Sequence, residues 1–170
     1  NNYNASATAN NGSCTYNTAS YTPVIKVDPI SDSLTETSGL EYAGGYLWSF
    51  NDGGGTPTLY RIDTTSNAVL QRVILQGAAN GDWEDIAFDG SYFYIGDFGN
   101  NVNGARTNLK IYKFPVNSIT DYQTNPVVTV AAQNIETINF SYSNQPQPPA
   151  PTSNNNTKFD CAAMIVTNNQ

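Results

Sequence analysis

Histidine does not occur in this 170-residue chain. Its absence removes imidazole acid–base chemistry, the Ser-His-Asp and Cys-His nucleophile systems and most zinc sites. Any catalysis would fall to carboxylates, Tyr, Lys or a hard metal. Charge is scarce as well: 12% of residues are charged, with 7 basic against 14 acidic and a net charge of −7. Without a basic cluster, nucleic acid and anionic membranes are poor partners. An acidic surface is compatible with cation binding or with solubility alone. No apolar run is long enough to span a bilayer and no Met-led signal peptide is present, so a soluble, mature or truncated product is expected.

Cysteine is limited to Cys14 and Cys161. Low charge and abundant Asn and Thr point to an exported protein, in which a disulfide could form. Whether Cys14 meets Cys161 or each pairs elsewhere stays open. Sequons at Asn4, Asn11, Asn139 and Asn155 are expected by chance in so Asn-rich a chain. Lys, Glu and Leu are sparse while Asn, Thr, Ser, Gly and Tyr dominate, which favours strands and turns over helices.

What is present is a repeat. Residues 81–101, GDWEDIAFDGSYFYIGDFGNN, read as an acidic turn, a strand, an Asp-Gly hairpin, a second strand and a Gly/Asn turn. Residues 38–54, SGLEYAGGYLWSFNDGG, follow the same order, with Leu40 set on Ile86 and Gly44-Gly45 on Gly90-Ser91. A hairpin recurring after about 46 residues has the spacing of propeller blades.

Further strands are expected at Val24–Val27, Leu59–Asp63, Ala68–Leu75 and Leu109–Phe114, with another within Val127–Val130 or Glu136–Tyr142. Four short antiparallel strands make one blade. The Pro/Asn-rich stretch 145–156 reads as an exposed loop. Beyond it, Phe159–Val166 opens a third repeat in which Asp160 aligns with Asp82, Ala162 with Glu84 and Met164 with Ile86. The expectation is an all-β partial propeller: about two blades over 21–170, the first strand of a third, and a leader over 1–20. Two blades cannot close a ring and would leave edges open. A longer chain, or other copies or segments completing the propeller, is therefore expected. A small β-sandwich with coincidental repeats is the competing reading.

Two resemblances bear on this pattern. Asn2-Tyr3-Asn4, Ser6-Ala7-Thr8 and Asn11-Gly12-Ser13-Cys14 resemble half of a Cys-bounded repeat (NYN..AT.DDGSC) of secreted multidomain Bacteroidetes proteins. There an earlier Cys partners the last, and acidic turn residues hold a cation. Here that first Cys is missing and Asn10-Asn11 replace the acids. Residues 38–165 resemble a family of secreted Bacteroidetes propellers, through Ser38-Gly39-Leu40, Asn51-Asp52-Gly53, Asp82–Ala87, Gly96–Asn101, Arg106, Ile138–Tyr142 and Asp160–Met164. The family implies modular surface proteins exported by the type IX route, many with no assigned reaction. It usually carries Glu where Ala162 stands. More distantly, the layout resembles propeller lactonases and phytases, which hold calcium or another divalent metal in a central channel; only Glu84 sits at a matching place.

The candidate residues each have a structural alternative. Glu84, Asp85, Asp97 and Asn100 offer hard oxygens suited to calcium; Asp52, Asp82, Asn51, Asn101 and Asp160 lie close in the pattern. Acids next to Gly, such as Asp52, Asp89 and Asp97, are more simply turn residues accepting backbone N–H groups. Trp83 is the aromatic expected to be exposed for ligand stacking, against packing between blades for Trp48, Tyr92, Tyr94 and Phe98. Arg106 would bind an anionic ligand or brace Asp97 and Glu84. Cys161 lacks a base and reads as structural. The expected function is an extracellular or cell-surface binding module, calcium-stabilised, with carbohydrate or a surface protein as ligand. The alternative is a metal-dependent lactonase or phosphoesterase. Zinc, nucleotide, haem and membrane insertion are not expected.

Overall fold

The structure, a computed structural model, describes Ser6 and residues 20–25, 30–66 and 68–167. The leader over 1–20, including Cys14, Asn4 and Asn11, falls outside these apart from Ser6 and Ser20. Among the described residues, nine strands make two open sheets, with only two short 3-10 turns, Val116–Ser118 and Ala132–Asn134, beside them. Among the described residues no helix is long and apolar enough to cross a membrane.

The first sheet holds β1 (Thr37–Ala43), β2 (Tyr46–Asn51), β3 (Thr58–Ile62), β4 (Val69–Leu75) and β8 (Val127–Val130), in the order β1-β2-β3-β4-β8. The second holds β5 (Trp83–Phe88), β6 (Tyr92–Asp97), β7 (Lys110–Pro115) and β9 (Glu136–Asn139), in that order. Both regions considered for the last strand are therefore strands. β9 completes the second sheet, whereas β8 crosses back and pairs parallel with β4. The buried Gln71 fixes that excursion by donating from Nε2 to the carbonyls of Thr120 (2.9 Å) and Asn125 (2.8 Å). Val24 and Ile25 are not in a strand; Lys26 and Val27 lie outside the described residues. Phe159–Val166 has no regular secondary structure and joins neither sheet.

The registers show the repeat in three dimensions. Leu40 pairs with Ser49 and Ser49 with Tyr60; Ile86 pairs with Ile95 and Ile95 with Tyr112. Each first strand carries a bulge, between Ser38 and Leu40 in β1 and between Trp83 and Asp85 in β5. Gly39 occupies the first at φ 61°, a left-handed conformation open to Gly at little cost. Glu84 is the extra residue of the second, and a bulge re-aims its side chain away from the regular alternation.

The core lies between the sheets. Trp48, Phe50, Leu59, Val73 and Leu75 from the first meet Trp83, Ile86, Phe93, Ile95, Tyr112 and Phe114 from the second. Tilted and edge-on contacts join Trp48 to Phe93 at 4.9 Å and Phe50 to Trp83 at 5.3 Å. Both indoles keep their N–H satisfied while buried: Trp48 donates to the Ala43 carbonyl at 3.0 Å, Trp83 to that of Ala79 at 2.9 Å. Trp83 has no exposed surface. The stacking role expected of it gives way to packing, because β5 begins at Trp83 itself, two residues before Asp85, and carries the ring inward.

Candidate metal centre at the seam between the sheets

The turn Asn80-Gly81-Asp82 stitches two loops together at the end of the sheets where β2 and β6 finish. On one side, Trp83 N–H donates to the Asp52 carbonyl at 2.7 Å, Gly54 N–H to that of Asn80 at 3.1 Å, and Asn80 Nδ2 to that of Asn51 at 2.9 Å. On the other, Gly99 N–H donates to the Asp82 carbonyl at 3.1 Å, and Asp82 N–H to Asp97 Oδ1 at 3.0 Å. The loop after each second strand is thus pinned to the same acidic turn.

Three carboxylates converge there. Asp52, Asp82 and Glu84 each present an oxygen, all within 4.8 Å of one another, and each residue is half-buried. Asp52 Oδ1 is enclosed and accepts no hydrogen bond. Crowding and burial resist ionisation. Desolvation first, then the adjoining Asp52 carboxylate, pushes the Asp82 carboxyl up to about 6, against the opposing pull of Arg106. Desolvation followed by repulsion from Asp82, Asp52 and Asp160 pushes Glu84 up to about 7. Gly99 closes the site from the β6 side: a Cβ there would run into the Asp82 carboxylate and Glu84 Oε1.

Calcium fits this donor set. Oxygens bound to one calcium at about 2.3–2.6 Å lie no more than about 5 Å apart, the spread found here. Hard carboxylates are its usual donors, and an orphaned oxygen at Asp52 is a ligand without a partner. Glu84, Asp52 and Asp82 would hold the ion.

The other expected ligands are placed differently. Asp97, with its side chain only 2% exposed, forms an ion pair with Arg106 at 2.7 Å. Arg106 also donates to the Gly99 carbonyl at 2.6 Å, so it braces the loop rather than presenting itself to an anion. Asn100 spends its side chain on Phe159 O (2.8 Å) and Arg106 N–H (2.8 Å), and its own N–H on Asp160 Oδ1 (2.7 Å). Asp85 accepts from Ile86 N–H (2.9 Å) and Met164 N–H (2.7 Å). Of the four, Glu84 alone joins the triad. Asp52 and Asp82 carried a signal in the sequence: each sits in a turn at the same end of its repeat. The turn role expected of the Asp52 carboxylate is not what is found: its backbone carbonyl accepts the Trp83 N–H, its Oδ1 accepts no hydrogen bond, and the carboxylate adjoins Asp82. Cys161 is in no disulfide among the described residues.

Comparison with known proteins brings no relative to this geometry: no protein-family model matches the chain, and neither a curated protein nor a solved structure matches it.

Proposed function

We propose that the chain is part of an exported β-propeller, its two sheets being successive blades, and that it works at the cell surface or outside the cell as a binding or interaction module tied together by calcium. The observation that carries this reading is the convergence of Asp52, from the loop after β2, with Asp82 and Glu84, from the start of β5. An ion there would bridge consecutive repeats. Its role would be to fix the angle between sheets and hence the loops at that end. Many aromatic rings are buried and the ordered polar residues serve turns, so binding falls to loop surfaces rather than to an enclosed pocket.

The test is thermal melting of the chain with chelator and with millimolar calcium, for the natural sequence and for Glu84→Gln. A calcium-dependent rise seen only with Glu84 intact supports the reading; equal melting in all four samples removes the cation. Turnover of a lactone or phosphomonoester in the presence of calcium would instead move the reading to a metal-dependent propeller hydrolase using the same carboxylates.

A further inference from the structure

The two sheets carry a cation among aromatic rings at the same ladder position, and only one of the two is neutralised. Setting Leu40 on Ile86 places Tyr46 on Tyr92, Trp48 on Tyr94, Arg61 on Lys113 and Gln71 on Glu136. In the second sheet the set is complete: Lys113 lies over Tyr92 (4.8 Å) and Tyr94 (6.0 Å), and its Nζ pairs with Glu136 on the neighbouring strand at 3.0 Å. In the first sheet Arg61 keeps the rings and loses the acid. Gln71 is neutral, donates its Nε2 to the carbonyls of Thr120 and Asn125, and leaves its own Oε1 without a partner.

Three rings wall the guanidinium of Arg61: Trp48 at 4.6 Å, Tyr46 at 5.0 Å and Tyr122, from the excursion before β8, at 5.3 Å. Such rings favour the charge through their faces but satisfy none of its N–H groups. Arg61 has no hydrogen bond and no ion pair; its Nε is enclosed without an acceptor, while its two terminal nitrogens are not enclosed. Burial pulls its pKa below the ordinary value, and Tyr46, Tyr122 and Asp121 oppose that only in part. The rim is half-open. Tyr46 donates its hydroxyl to that of Tyr122 at 3.4 Å, and the Tyr122 hydroxyl has no acceptor of its own. In a chain of net charge −7, an unpaired arginine on a shaped aromatic seat calls for an acceptor from outside.

We infer that Arg61, Tyr46 and Tyr122 form a binding site for the carboxylate of an acidic sugar. The planar fork of the guanidinium matches a carboxylate, which takes the place that Glu136 holds beside Lys113. One cation balances one negative charge. A phosphate monoester carries nearly two, and here it would meet a single arginine beside Asp121. The unspent atoms at the rim are donors, which suits a carboxylate flanked by hydroxyl and ring oxygens; a peptide would bring N–H groups of its own. The Tyr46 and Tyr122 rings give the sugar's apolar face a wall to rest on. The inference supplies a ligand for the binding module proposed above, and it depends on neither the propeller nor the calcium.

The experiment titrates the whole chain with trigalacturonate, its neutral methyl ester and an acidic peptide, followed by calorimetry and by the fluorescence of Trp48, which touches Arg61. Chelator is present throughout, so that no metal bridges the sugar to the acidic turn. The free acid should bind saturably below about 10 mM and the ester about tenfold or more weaker. Arg61→Gln should weaken the acid by about tenfold or more, down to the level of the ester, with melting showing that the variant folds. Tyr122→Phe keeps the ring, loses the donor and should weaken binding a few-fold, which carries the test should Arg61→Gln fail to fold. Absence of saturable binding would overturn the inference, as would an ester that binds as well as the acid or binding undiminished in both variants. Tighter binding of the acidic peptide would overturn the sugar as ligand. Calcium-dependent melting reads the other site, so failure of the propeller-and-cation reading registers separately.

Discussion

Removing the charge of Glu84 without its shape should stabilise the chain when no divalent cation is present. In the folded state Glu84 titrates near 7 and Asp82 near 6, against ordinary values of 4.5 and 3.8. For Glu84 the rise, fully expressed, would cost about 3 kcal/mol at about 1.4 kcal/mol per pKa unit. The carboxylate is partly open to water, which screens it, so about 1 kcal/mol is the expected share. Glu84→Gln should then raise Tm by about 3 °C in chelator at pH 8, for a domain of this size. With about 10 mM calcium and a Kd of about 1 mM, within the range of extracellular calcium modules, the natural sequence should gain about 1.4 kcal/mol. The variant should gain little.

The pH dependence follows in sign. A carboxyl whose folded pKa is raised binds protons more tightly folded than unfolded, so stability falls as pH rises from about 4.5 towards 7. In chelator, the natural sequence should melt higher at pH 5 than at pH 8, and Glu84→Gln should flatten the upper part of that slope. Histidine is absent, so no imidazole titrates in the same window to confuse the result. Differential scanning calorimetry at four pH values measures it. A Glu84→Gln variant that melts lower than the natural sequence in chelator at pH 8 would refute the account of crowding.

Arg106→Met should destabilise by about 3–5 kcal/mol in urea unfolding, because it strands Asp97 as a buried charge; Asp97→Asn in the same chain should recover part of that loss. Gly99→Ala should displace the Asp82 and Glu84 carboxylates, costing about 1–3 kcal/mol and abolishing the calcium-dependent shift, as read by melting with and without calcium. Phe93→Ala empties the centre of the aromatic core, between Trp48, Phe88 and Phe114, and should cost about 3–5 kcal/mol by denaturant unfolding. Gln71→Leu removes both hydrogen bonds that hold the approach to β8 and should cost about 1–3 kcal/mol, with limited proteolysis appearing first in residues 120–126.

The hairpins were legible because their signals are local. Gly44-Gly45 and Asp89-Gly90 mark the turns, and the short aromatic-rich apolar runs 46–50 and 92–96 beside them mark strands, so β1, β2, β5 and β6 follow from neighbours in sequence. β8 was harder to place. Val127–Val130 has strand composition, but its partner is β4, more than fifty residues earlier, and the decisive contact is a buried Gln71 that composition would put on the surface. Trp83 illustrates the same limit: an aromatic beside three acids reads as exposed until the start of β5 and its bulge are known. The site was half legible for a related reason. Glu84 announces itself in its repeat, whereas Asp52 becomes its neighbour only when the two sheets face each other.

The charge balance at the seam shows why the proposed ion would be called for once and not twice. In the ladder correspondence Asp97 stands where the first repeat has Asn51, and Phe98 where it has Asp52. Asn51 donates from Nδ2 to the Ser33 carbonyl at 2.9 Å and needs no counter-charge. Asp97 needs one and takes Arg106, while Phe98 folds over Gly96 and closes the position to water. The guanidinium is thus committed, and Asp82 and Glu84 share what remains of its field. Below pH 6 a proton on Asp82 or Glu84 relieves the crowding. Above pH 7 that relief is lost, and a divalent cation, if held by the three converging oxygens as proposed, would supply the neutralisation.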